Sequence, residues 1–181
     1  YAGMVAGPSM VKYTKNIKTH VDEVSSKLFD DASASHVKKI DRLKKMDGPE
    51  NSYTLGKELG DWMTRNVTVT RYNKKLEETD TKIQELMERF KKIGMVDKGA
   101  WANQGLHHAR QLYTMLQLAR VITIGALKRD ESRGAHYKPD FQERNDEKFM
   151  KTTIAQYKAP ASEAADGFFG QTSDFGSPEF S

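Results

Sequence analysis

The 181-residue chain contains no cysteine, which excludes a disulfide framework and a thiolate metal site. It has no run of 18 apolar residues, which excludes a membrane-spanning helix, and no charged-then-apolar segment opens it. No Gly-x-Gly-x-x-Gly follows a strand-like run and no P-loop occurs, so neither dinucleotide nor nucleotide phosphates find a recognisable cradle. No serine, histidine and aspartate fall in a supporting motif for nucleophilic catalysis. The histidines are His20, His36, His107, His108 and His136. None stands four residues from another, the spacing that puts two imidazoles on one helical face, and His-Glu-x-x-His is missing, so no metal site is expected. His107 and His108 are adjacent, so on a helix they point apart: one into the core, the other towards a neighbouring domain.

Hydrophobic residues make up only 37% and charged residues 30%, which suits helices with well-solvated outer faces. The net charge is +4. Residues 159–181 hold Glu163, Asp166, Asp174 and Glu179 and no base, so the body carries the basic excess. A basic body admits a nucleic-acid surface. The lysines and arginines alternate with acids at helical spacing and form no aromatic-basic stripe, so no nucleic acid is expected as a partner.

The strongest pattern is Trp101–Phe141. From Leu106 to Leu127 the segment is apolar on nearly every side, which reads as a buried central helix over 102–132, ending near Gly134. Arg71–Ile93 is amphipathic: Leu76, Ile83 and Phe90 recur every seven residues, with Lys74–Glu78, Glu85–Arg89 and Glu88–Lys92 as pairs along the outer face. Asn51–Arg65 places Tyr53, Leu55, Leu59, Trp62 and Met63 on one face. Val67–Thr70 alternates but is too short for a strand, and reads as a bend or a join. Helices over 51–70, 71–93 and 101–133 then form a three-helix, up-down-up antiparallel bundle. Ahead of it, apolar spacing predicts two surface helices, over 17–28 and 33–46, the second capped by Ser33 or Ser35 and stopped by Asp47-Gly48-Pro49. Gly3 and Gly7 share a face of an N-terminal helix and invite close approach of another group. Residues 147–157 read as a short strand, or a short helix followed by extended chain. The tail is irregular, and its Phe168, Phe169, Phe175 and Phe180 suit anchoring on another surface. The fold class is therefore mainly α: the bundle, extra N-terminal helices and an irregular C-terminal tail. The division is 1–15, a helix stub; 16–50, surface helices; 51–157, the bundle with a loop; and 158–181, an acidic tail.

The densest polar cluster runs from Arg129 to Asp146. It offers either an anion site or an ion-pair network that fixes a loop, and the alternation of arginine with carboxylate favours the network.

Three stretches resemble one family. ARVITIGALKRDESRGAHYKPDF, followed by ERND, resembles the C-terminal helical domain of the flavoprotein subunit of succinate dehydrogenase and fumarate reductase. LGDWMTRNVTVTRYNKKLEETDTKIQEL resembles the same family at Leu59, Met63, Val67, Val69, Arg71 and Leu76. YAGMVAGP looks like a flavin-domain helix. Three departures stand out: Lys138 where the family has arginine, Gln142 where it has proline, and Asn145 where it has aspartate. Ala102-Asn103-Gln104 and residues 149–157 lean towards the succinate dehydrogenase type. L-aspartate oxidase shares the outline of the motif, and a stand-alone helical interaction module is a further alternative.

The resemblance implies a parent oxidoreductase that interconverts succinate and fumarate through FAD and passes electrons to an iron–sulfur subunit. Its catalytic and FAD-binding residues precede the matched region. No catalytic, cofactor-binding or metal residue is therefore assigned here, and the chain reads as a piece of a longer polypeptide, without cofactor of its own. The implied partners are the flavin domain of the same chain, the iron–sulfur subunit and a membrane-anchor subunit. The parent complex would lie on the cytoplasmic face of a bacterial inner membrane, and the piece itself would be soluble. Arg129, Glu131, Arg133, His136, Tyr137, Asp140, Arg144 and Asp146 are the expected interdomain docking residues.

Overall fold

The computed structural model describes residues 1–99, 101–158 and 177–180. They form α1 (Ala2–Thr14), α2 (Ser26–Lys45), α3 (Ser52–Asn66), α4 (Asn73–Phe90), α5 (Gln104–Lys128), α6 (Asp146–Phe149), β1 (Ala155–Lys158) and β2 (Ser177–Phe180). The chain divides into two units, Tyr1–Lys38 and Lys39–Ser181, with the division inside α2.

In the first unit, α1 buries none of its residues, and the space where Gly3 and Gly7 would carry a Cβ is open. The helix predicted over 17–28 does not form. A single 3-10 turn, Val21–Glu23, stands there instead. Ile17, Val21 and Leu28 are all more than half exposed, so the apolar stripe packs on little among the described residues, and packing is what holds most short helices together. One helix, α2, replaces the second predicted helix and starts seven residues earlier. Its sequence holds neither glycine nor proline, so it runs straight through Ser33 and Ser35, the expected caps.

The second unit is the bundle, and its contacts fix the direction of each helix. At the far end of α3, Asn66 Nδ2 donates to Thr79 Oγ1 at 2.9 Å, early in α4. At the near end, Glu50 and Glu58 accept from Arg89, late in α4, at 2.8 Å each. These helices are antiparallel. Asp80 and Arg120 pair at 3.0 Å, while Phe90 packs on Tyr113 with ring centroids 5.9 Å apart, so α4 and α5 are antiparallel too. Ser52 meets His108 and Met63 meets Thr123, which sets α3 parallel to α5. The order is up-down-up. Leu55, Leu76, Ile83, Leu86, Leu112 and Leu116 are fully buried at its centre.

Side chains close the starts of α3 and α5. Asn51 Oδ1 accepts from Tyr53 N at 2.8 Å and Asn103 Oδ1 from Leu106 N at 2.8 Å, each satisfying an amide that the first turn leaves orphaned. Below the bundle, residues 46–50 and 92–95 clasp each other: Gly48 N donates to Ile93 O at 3.1 Å and Gly94 N to Glu50 O at 2.8 Å. Glycine is required at both positions, because a Cβ on Gly48 would stand 1.9 Å from Lys92 O and one on Gly94 2.2 Å from Gly48 O.

Two readings of α5 change. It spans 104–128 rather than 102–132, because Arg129 is already extended and the residues after it serve the loop. It is also buried on one side only: Met115, Leu118 and Ile122 are 43%, 56% and 50% exposed. Val67–Thr70 forms the join between α3 and α4. The tail is not irregular throughout, since β2 pairs antiparallel with β1, Ala155 opposite Phe180. Phe180 closes on Gly125, and Lys128 Nζ sits 5.0 Å from its ring centre. Phe168, Phe169 and Phe175 lie outside the described residues. No helix among the described residues is long and apolar enough to cross a membrane.

Candidate functional site

Where α5 ends, the chain enters a polar loop, 129–145, held by charges buried on its inner side. Glu131 is completely buried. One oxygen accepts from Arg129 Nε at 2.8 Å and Arg133 Nε at 2.9 Å, the other from Arg133 Nη2 at 3.0 Å and from Asn145 N at 2.9 Å. The Arg133 hydrogen bonds, joined by those from Asn145 and Arg129, outweigh burial and hold the carboxyl down to about 2. Arg133 also bonds Asp146, which Arg144 meets at 2.8 Å. Arg129 reaches on to Phe149 O and to Thr153 Oγ1 at 3.2 Å, which ties α6 and the chain after it to the loop.

Lys138 is 1% exposed. Its ammonium donates to Leu127 O at 3.0 Å and to Asp130 Oδ1 at 2.9 Å, so it caps the last turn of α5 where the helix dipole favours a cation. Asn73 at the start of α4 donates to the same carboxylate oxygen at 3.1 Å. Its own Oδ1 is buried and has no hydrogen-bond partner among the described residues. Ser132 Oγ donates to Phe141 O at 2.8 Å and accepts from Lys138 N at 3.0 Å, which folds the loop back on itself. Gly134 turns its tip with φ +57°, a left-handed angle that glycine adopts without strain.

His136 lies between Arg71 and the Arg129 carbonyl. Burial, more than the surrounding cations, pushes its affinity for a proton down. Tyr137 O accepts from Arg71 N at 3.0 Å, while the tyrosine ring stands half exposed. Of the eight expected docking residues, Arg129, Glu131, Arg133, Arg144 and Asp146 share one network. His136 and Tyr137 bind the α3–α4 join, and Asp140 is exposed and takes part in neither. Sequence reasoning missed Lys138, Asn73 and Arg71 as members of the site. On α5, His108 is partly buried, 3.3 Å from Ser52 Oγ and stacked on Tyr53 at 4.1 Å, while His107 is exposed.

A cleft of about 260 Å³ opens between α5 and the strands, lined by Met87, Leu118, Val121, Ala155 and Pro178 among others. It falls below the size usual for drug-sized ligands, about 300–1,000 Å³, and its described lining holds no glycine. These residues do not fit a flavin dinucleotide. Among the described residues no group of three or more histidines and carboxylates is placed to hold a metal ion.

The family model described as fumarate reductase flavoprotein C-term matches residues 56–166. The succinate dehydrogenase flavoprotein subunit of Bacillus subtilis is 57% identical over 164 residues, 88% of this chain and 27% of that protein. The fumarate reductase flavoprotein subunit of Helicobacter pylori strain J99 is 33% identical over 86% of this chain and 21% of its own length. Among solved structures, the FrdA chain of an E. coli quinol fumarate reductase superposes with a TM-score of 0.72 at 26% identity, over 87% of this chain and 25% of that one. The Mycobacterium smegmatis Sdh1 complex in its apo form gives 0.58 at 29% identity, over 73% and 21%. The chain thus spans about a quarter of the length of the curated relatives it matches. It belongs to the family of succinate dehydrogenase and fumarate reductase flavoprotein C-terminal domains.

Proposed function

We propose that this chain is the helical scaffold of a flavoprotein subunit that interconverts succinate and fumarate through FAD and hands electrons to an iron–sulfur subunit. The observation that carries the reading is the match over residues 56–166, joined to 57% identity with a succinate dehydrogenase flavoprotein subunit. On this reading FAD, the substrate site and the residues that move protons belong to the rest of the polypeptide. The residues here take no catalytic part. They bury a bundle, and the loop after α5 presents Tyr137, Asp140, Arg144 and Asp146 outward while Glu131 and Lys138 hold it from within. That outer side docks on the flavin domain, and a membrane-anchor subunit places the parent complex at the inner face of a bacterial membrane.

The test is succinate-dependent dye reduction by the full-length polypeptide, beside a form in which Tyr137→Ala and Arg144→Glu are combined. The native polypeptide should bind FAD and oxidise succinate. The double variant should keep its helical content, lose at least part of its flavin and fall in activity. Absence of succinate oxidation in the native polypeptide would end the functional reading. Full flavin content and full activity in the double variant would end the docking role of the loop.

A further inference from the structure

Arg71 and His136 come from two connections far apart in the chain and meet at 2.5 Å, Nη1 to Nδ1. Arg71 is fixed in the α3–α4 join: its Nε donates to Val67 O at 2.7 Å and its Nη2 to Thr68 O at 3.3 Å. A guanidinium has donors only, so Nδ1 must offer a lone pair. On the other side of the ring, Nε2 lies 2.9 Å from Arg129 O. A carbonyl only accepts, so Nε2 must carry the hydrogen. One protonation state satisfies both contacts, the neutral ring with its proton on Nε2.

We propose that His136 is an acid-released latch: a proton on Nδ1 expels Arg71 and frees the Arg133–Tyr137 turn from the α3–α4 join. The proton and Arg71 compete for the same lone pair, so the contact and the charged ring exclude each other. The charged groups that act on the ring are Arg71 from the join, Arg129 at the end of α5, and Lys138 from the loop itself, all cations. The nearby carboxylates are engaged elsewhere: Asp130 with Lys138 and Asn73, Glu131 with Arg129 and Arg133. Among the described residues, therefore, no carboxylate waits to stabilise an imidazolium.

The released part is small and defined. Arg133 N donates to His136 O at 2.8 Å and His136 N to Arg133 O at 3.0 Å, so the turn is closed on itself and pivots about Arg133, whose fork stays on Glu131. Glu131 before it and Lys138 after it stay anchored. The bond between Arg71 N and Tyr137 O, one residue from the ring, is the one that opens with it. This latch rests on the geometry of the chain itself and holds whatever the parent polypeptide catalyses. If the loop also docks, acid loosens the docked face.

The sign follows from competition. Burial and the cations push the histidine below its ordinary value of 6.5. The latch is fully closed above that value. It weakens as pH falls from there to the lowered one, and below that it changes no further.

Imidazole nitrogen chemical shifts and exchange of the Arg71 amide, both followed by NMR against pH, test the proposal. The ring should be the Nε2–H form at neutral pH. Between the ordinary and lowered histidine values, opening at the Arg71 amide should rise by up to about tenfold per pH unit, while the amide of Leu116 stays protected. His136→Gln, which cannot take up the proton, should give a flat profile. An Nδ1–H ring at neutral pH would overturn the latch. So would protection of the Arg71 amide that is unchanged through the titration of the ring.

Discussion

Arg133 grips Glu131 with both arms of its fork, Nε at 2.9 Å from one carboxylate oxygen and Nη2 at 3.0 Å from the other, and the carboxylate has no exposed surface at all. A buried charge held this way is costly to remove, because Arg129 and Arg133 then lose the carboxylate they share. Glu131→Ala should therefore cost about 3 kcal/mol, the low end for a broken buried pair, since both arginines keep some contact with water. Urea unfolding followed by circular dichroism measures it. A loss below about 0.5 kcal/mol would mean that the network does not hold the loop.

The same carboxylate sets an acid limit. Its proton affinity is lowered from 4.5 to about 2, chiefly by the Arg133 hydrogen bond. A lowered carboxylate stabilises the fold fully above its unfolded value and loses that contribution as pH falls towards the folded one. Stability should hold down to roughly pH 4.5 on this account and decline from there towards pH 2. In Glu131→Gln the part of the decline due to this group should vanish. Parallel acid-unfolding curves for the two proteins would contradict the assignment.

Gly48 and Gly94 offer a second test, away from charge. A methyl group at either position meets a backbone carbonyl oxygen nearer than any real contact, and backbone cannot swing aside as a long side chain can. Gly94→Ala should destabilise by about 3 kcal/mol, at the upper end for overpacking. Gly60→Ala, where the space is open, should be neutral or slightly stabilising, because alanine favours helix. Thermal unfolding of the two variants side by side separates steric conflict from a general effect of the substitution.

Leu116 and Leu118 stand two residues apart on α5, one fully buried and the other 56% exposed. Leu116→Ala should cost roughly 3 kcal/mol through lost burial and the cavity left behind. Leu118→Ala should change stability by less than about 0.5 kcal/mol. Equal losses would mean that the exposed face of α5 is covered in solution.

The bundle was readable because its signals are periodic. Leu76, Ile83 and Phe90 recur every seven residues and all three are buried, and the short connections leave little choice but alternating directions. The family was readable because its motif is contiguous. Arg89 shows where such reading stops. Spacing paired it with Glu85, which it meets at 3.5 Å, while its shorter bonds go to Glu50 and Glu58 from another element. The site was half legible for the same reason. Glu131 and Arg133 are neighbours in sequence, whereas Arg71 and Asn73 arrive from some 60 residues away. Lys138 gave no sign of burial, because a lysine in a charged run reads as solvated. Its one signal was that it stands where the family carries arginine. The end of α5 was misplaced because Arg129 to Ser132 are acceptable helix residues by propensity, and only the buried pairs they make outside the helix take them out of it.

The measurement that reaches the central claim most directly is a titration of this 181-residue chain with FAD, with flavin fluorescence and helical circular dichroism read together. A scaffold domain separate from the flavin site should show a strong helical signal and leave flavin fluorescence unchanged. Tight, saturable quenching by the folded chain would put a flavin site within these residues and contradict the account.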